Sequence, residues 1–185
     1  MRYAIVLSVF LIGCTTAPGN PTPVTSPEPP TPVSTPLGKP QFCAYHQAAD
    51  GQPLPDPTCT PGANDPNVTQ DNIQDTICKS GWSASVRPPV SFTEPLKLQS
   101  MQQYRSQGKV SDFEYDHLVS LELGGAPRDT KNLWPEPGNS PNEKDKVENA
   151  AHKAVCNGTI TLDHAQQGME HDWTELGKEL GISGL

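Results

Sequence analysis

Aromatic residues make up only 6% of the 185-residue chain: three Trp, four Tyr and four Phe. So few rings cannot build an extensive core over the whole length, and part of the chain is expected to lie outside any packed domain. Cations are scarce as well, with 13 Lys and Arg against 21 Asp and Glu and a formal net charge of -8. That excludes the basic footprint of a tight nucleic-acid-binding module. It does not exclude a hydrolase, which touches a polyanion briefly and can take local positive charge from a bound metal ion. No run of 18 apolar residues follows the N-terminus, so no internal membrane span is expected. There is also no C-x-x-C pair to suggest a zinc site.

What the chain has in excess is proline, 21 in all. Residues 1–14 come first, with one early Arg2, an apolar run from Ala4 to Ile12, and then Gly13-Cys14. This reads as a secretory signal, too short to span as a mature helix. Its ending, Leu11-Ile12-Gly13-Cys14, resembles a bacterial lipobox, which implies cleavage before Cys14 and lipidation of its sulfur. The alternative is an ordinary signal peptide cut near Ala17. Two or more acyl chains would exceed the one-chain threshold for stable anchoring. Residues 15–40 hold nine prolines in 26 positions, among Thr, Ser, Val and Gly. That composition favours an extended tether, reaching at most roughly 80 Å at about 3.1 Å per residue.

The folded domain is expected over residues 41–185, itself acidic with 11 Lys and Arg against 20 Asp and Glu. Residues 43–82 are dense in turn signals, with a short helix expected from Thr69 to Ile77. Four cysteines of an exported domain point to two disulfides, for which three connectivities are possible. The expected pairs are Cys43–Cys59, closing a turn-rich loop, and Cys78–Cys156, tying the N-terminal layer to a later helix. Residues 83–92 read as extended, and Glu94 to Gln107 as a helix. Arg87, Lys97 and Arg105 are candidate phosphate contacts, although scattered surface cations are the commoner case.

The stretch that organises the domain is FEYDHLVSLELGGAPRDTKNLWP, Phe113 to Pro135. Alternating and then mostly apolar residues suit a strand entering a buried layer, and Gly124-Gly125 and Pro127 break it with a turn. A second short segment ends at Pro135. Ser140-Pro141-Asn142-Glu143 then has the form of a capping box opening a helix to about Val155. In that helix Val147, Ala150, Ala151, Ala154 and Val155 form an apolar stripe, while Asp145, Glu148 and His152 cluster on another face. A further helix is expected from Leu162, with Leu162, Ala165, Met169 and Trp173 inward and a frayed tail beyond.

Strand, loop, strand and helix, with Asp116-His117 early and Asn132 fifteen residues after the His, resembles the HNH or ββα-metal nuclease motif. That resemblance covers about a quarter of the chain. A wider one, over residues 53–175, is to small exported bacterial proteins carrying segments similar to TPGANDPNVTQDNIQDTIC, GWSASVRPP and DHLVSLELGG…NLWPEP. The fold it implies is α+β, a ββα-metal core with a disulfide-tied, loop-rich N-terminal layer and C-terminal helices.

By that resemblance His117 is the general base, and Asp116 is a ligand of one divalent ion, Mg, Mn or Zn. Asn132 is either a second ligand or the residue that holds the two strands so that His117 is aimed. Neighbouring strand residues point to opposite faces, so Asp116 and His117 serve one site only if the strand bends or ends there. The chain departs from the motif at the third position. A ligand eight or nine residues after Asn132 falls on Ser140 and Pro141, and the substitutes are Asp145, Glu148 and His152. Each residue also has a plainer reading, in which His117 is a hydrogen-bonded core histidine and the three helix residues are a solvated face. Two functions follow. One is a lipid-anchored, monomeric, metal-dependent nuclease of the bacterial envelope, with nucleic acid as a transient substrate and membrane contact through Cys14 alone. The other is a non-catalytic envelope lipoprotein that keeps a degenerate HNH-like fold as a binding or structural module.

Overall fold

Prolines 135 and 137 decide how the central hairpin is built. They alternate along one strand, so both missing N–H groups face the same edge, where no partner strand is needed. The computed structural model describes residues 42–184; Cys14 and the tether of residues 15–40 lie outside them. The elements in order are β1 (His46–Gln47), β2 (Pro53–Leu54), α1 (Trp82–Val86), α2 (Val90–Gln103), β3 (Phe113–His117), β4 (Leu133–Pro137), α3 (Glu143–Cys156) and α4 (Leu162–Glu179). The fold is mixed α+β, with two small antiparallel sheets, β1 with β2 and β3 with β4, among the described residues.

In the second sheet Phe113 lies opposite Pro137, Tyr115 opposite Pro135 and His117 opposite Leu133. Phe113, Tyr115 and His117 therefore turn their carbonyls away from β4, like the two prolines. Those outward carbonyls are not left bare. Lys97 of α2 donates to Phe113 O at 2.6 Å, and Tyr45 OH donates to Pro135 O at 2.8 Å. Residues 43–104 thus reach the outer edge of each strand, and Cys43, Tyr104, Leu118 and Trp134 form a small core beside the hairpin.

The larger core lies between α3, α4 and the segment that joins β3 to β4, with Val119, Leu123, Val147, Val155, Met169 and Trp173 at its centre. The expected stripe on α3 is buried at Val147, Ala151, Ala154 and Val155, and only half-buried at Ala150. On α4 the four expected residues are all buried, but the helix continues past Trp173 to Glu179. A non-helical residue, Asp172, kinks it and lets Leu176 turn inward as well.

Three local expectations are corrected. The run expected to be extended, 83–92, is helical at both ends: residues 82–86 form α1, held by Ser85 Oγ on Trp82 O and ended by Pro88-Pro89, and 90–92 open α2, which spans Val90–Gln103 and not Glu94 to Gln107. Thr69 to Ile77 is a single 3-10 turn over Gln70–Asn72 followed by turns. Helix α3 opens two residues later than expected, because Asn142 is its cap. Asn142 Oδ1 accepts from Asp145 N, and Asp145 Oδ2 accepts from Asn142 N, the reciprocal pair that satisfies two orphan donors.

Cys43 and Cys59 stand at disulfide distance, Cα atoms 6.0 Å apart, as do Cys78 and Cys156 at 5.6 Å. These are the two pairs expected from the sequence. Cys78 precedes α1 and Cys156 ends α3, so the second bridge ties the N-terminal layer to the helix that follows the hairpin. No described helix is long and apolar enough to cross a membrane.

Candidate active site

His117 is the last residue of β3, paired with Leu133, and Asp116 precedes it in the strand. The ring is buried, with the residue 5% exposed, and Nε2 lies 3.0 Å from Pro127 O. A carbonyl can only accept, so Nε2 carries the hydrogen and Nδ1 keeps its lone pair. Burial holds the His117 pKa below its ordinary value, against the opposing pull of the Pro127 carbonyl. The imidazole is therefore neutral at pH 7, oriented, and basic at one defined nitrogen.

The loop that supplies Pro127 is shaped by Asn132, which has no exposed surface. Its Oδ1 accepts from Val119 N at 2.9 Å, and its Nδ2 donates to Val119 O at 2.9 Å and Ala126 O at 3.3 Å. Both polar atoms are spent on backbone. Oδ1 also lies 3.5 Å from Ala63 N, so of the two roles open to Asn132 the side chain has the contacts expected of the staple. Gly125 makes the staple possible. A Cβ there would stand 1.8 Å from Val119 O and 2.8 Å from Asn132 Nδ2.

Strand alternation places Glu114, Asp116 and, across the pair, Glu136 on one face of the hairpin. Helix α3 brings Lys144 and Glu148 to Asp116. Lys144 was not singled out from the sequence, and it is the centre of this cluster. It is 1% exposed, and its Nζ donates to Asp116 Oδ2 at 2.5 Å, to His117 O at 2.9 Å and to Glu148 Oε1. The His117 carbonyl is free for this because it faces away from β4. The only sequence signal was spacing: Lys144 and Glu148 are one turn apart on the face that Glu148 was already assigned to.

These charges reset one another. Burial alone would raise Asp116, but the Lys144 ammonium outweighs it and holds that carboxyl below its ordinary range. Burial would lower Lys144, and Asp116 and Glu148 reverse this, so the amine stays charged. Burial pushes Glu136 up to about 9 and Glu148 up to about 7, opposed in both cases by Lys144. Glu136 Oε2 is buried with no donor to accept from. An ionised carboxylate would not tolerate that. In the acid form Glu136 can donate a hydrogen to Asp116 instead of facing it as a second charge, and the Asp116 charge raises the Glu136 pKa further.

The other two proposed third ligands are committed elsewhere. Asp145 caps α3 and accepts from Ser140 Oγ at 2.8 Å. The His152 Nε2–H donates to Ile77 O at 2.9 Å, and its Nδ1 lies 3.7 Å from Glu122. Only Glu148 joins Asp116. Among the described residues, the one group of three ligand atoms gathered within 4.8 Å is Cys78, His152 and Cys156. With its two sulfurs joined to each other, that group offers His152 alone. Of the candidate phosphate contacts, Lys97 is bound to the hairpin edge and Arg105 lies over the Phe42 ring. Arg87 is exposed, and its charge reaches Glu114, His117 and Glu122. Comparison of the chain with protein-family models, curated proteins and solved structures finds no match.

The donor set suits a hard cation. Asp116, Glu148 and the His117 carbonyl are all oxygen donors, the kind that Mg²⁺ and Mn²⁺ prefer and Zn²⁺ does not require. A cation of that kind already lies between them, as an ammonium.

Proposed function

We propose that the domain is an HNH-like, ββα-type phosphodiesterase that cleaves DNA or RNA, with His117 as general base. The observation that carries the proposal is the Nε2–H to Pro127 bond, which leaves Nδ1 bare on a neutral ring beside Asp116. A neutral, fixed imidazole takes the proton from an attacking water, a contribution of about a hundred- to ten-thousand-fold in rate. Asp116 and Glu148 would hold a divalent ion, whose part is to stabilise charge on the phosphoryl oxygens. Glu136, as an acid, aims the Asp116 carboxylate, and exposed Arg87 supplies a cation near the phosphate. Two disulfide-distance pairs are compatible with an oxidising compartment outside the cytoplasm.

A second reading, a non-catalytic envelope module, is favoured by the 5% exposure of His117 and by the ammonium already inside the acidic cluster. Nicking of supercoiled plasmid and cleavage of single-stranded RNA, each with Mg²⁺ or Mn²⁺, separate the two. His117→Ala should lose at least a hundredfold in cleavage while its melting temperature stays near wild type. Wild-type cleavage in a folded His117→Ala protein removes His117 as the base, and no cleavage by the wild type with either ion leaves the non-catalytic module.

A further inference from the structure

We infer that Lys144 is the resident cation of this site, an internal counter-ion that a divalent metal must displace before it can bind Asp116 and Glu148. The inference rests on the reading above of those carboxylates as cation-holding groups. Its grounds are geometric. The Lys144 ammonium touches Asp116, Glu148 and the carbonyl of His117, which are the oxygens a hard metal ion would use. It does so at 1% exposure, so it fills the space instead of bordering it. The oxygens converge on the ammonium. No three carboxylate or imidazole ligands of the cluster lie within 4.8 Å of one another among the described residues, so the ammonium is what joins the carboxylates.

The two cations exclude each other. A divalent ion between Asp116 and Glu148 would meet the ammonium at contact distance in a poorly solvated place, where like charges repel strongly. Lys144 is the second residue of α3, and its flexible four-carbon stem can return the ammonium to solvent from the first turn of the helix. Apparent metal affinity is then lowered by the fraction of molecules in which Lys144 occupies the site. The ammonium also keeps the carboxylates apart and neutralised when no ion is present. The site is thus built to load at an ion concentration that Lys144 sets.

Calorimetric titration of the full chain with Mn²⁺, for wild type and Lys144→Met, tests this. Lys144→Met should bind one Mn²⁺ about tenfold or more tightly than wild type. Reductive methylation of the wild type, mapped by mass spectrometry, supplies a second readout that does not depend on the variant folding. Lys144 should be protected without ion and become reactive when Mn²⁺ is saturating. Equal affinity in the two proteins, or Lys144 protected in the Mn²⁺-loaded wild type, overturns the inference and leaves the metal-dependent reading intact. If neither protein binds Mn²⁺, both fall.

Discussion

At the residue scale the informative side chains are the buried polar ones. Glu136 is 3% exposed and accepts only a long bond from Asn142 on Oε1, so its proton is part of the folded structure. Its pKa lies at about 9 in the fold against an ordinary 4.5. Between those values the folded protein holds a proton that the unfolded chain has released, so stability is highest in acid and falls as pH rises through the window. Glu148, at about 7, adds to the fall in its lower half. Glu136→Gln keeps a donor toward Asp116 and removes the titration. In chelator-containing buffer it should be more stable than wild type by roughly 1–3 kcal/mol at pH 8, with a smaller difference at pH 5. Melting curves from pH 5 to 9 check this, and parallel pH profiles for the two proteins would sink it.

His117 carries the opposite sign. Its depressed pKa keeps it a base below its ordinary value, so the acid limb of cleavage should fall below pH 6.5. A pH–rate profile measures this, and a limb at or above 6.5 contradicts it.

At the scale of elements, the hairpin is defined by what joins its strands. Residues 118–132 form no regular strand and are held by Asn132 from within. A substitution separates a ligand from a staple. Asn132→Asp would improve a metal ligand, adding charge to the same oxygen geometry. A staple loses the Nδ2 donor to Val119 O and Ala126 O, and gains a buried, unpaired charge. We expect Asn132→Asp to lose about 3 kcal/mol or more by denaturant unfolding, with no rescue by Mg²⁺ or Mn²⁺. Full stability in the presence of ion would restore the ligand role.

The helices show where local signals suffice. The α3 stripe and the start of α4 follow from apolar period alone. The beginning of α3 does not, because Ser140 and Asn142 both suit a cap. The choice of Asn142 rests on Asp145 three residues on, which closes the box.

At the scale of the molecule, the two bridges differ in reach. Cys43–Cys59 closes 16 residues and Cys78–Cys156 closes 78. By loop entropy they contribute about 3 and about 4 kcal/mol. The longer one also fixes α3, and with it Lys144 and Glu148, against the N-terminal layer. Replacing Cys78 and Cys156 together by Ser should lower the unfolding free energy by about 4 kcal/mol, more than the same change at the shorter bridge. An unchanged denaturation midpoint would show that packing alone holds α3 in place.

The sequence by itself determined the central hairpin and the two C-terminal helices. Proline at 135 and 137, glycine at 124 and 125, and apolar residues at helical or strand period act within a few positions of themselves. Their effects survive without knowledge of the rest. It also placed His117 and Asp116 together and offered two roles for Asn132. Only the tertiary structure gave Asn132 the contacts of the staple, and only it put Lys144 at the centre of the site. The reason is distance along the chain. Lys144 is 28 residues from Asp116, and a lysine in an acidic stretch reads as one more solvated charge until α3 is laid across the hairpin. The same packing removed Asp145 and His152 from the site, one to a helix cap and one to Ile77. Which carboxylates share a proton and which hold a cation depends on burial and on partners brought from afar, and no local pattern encodes either.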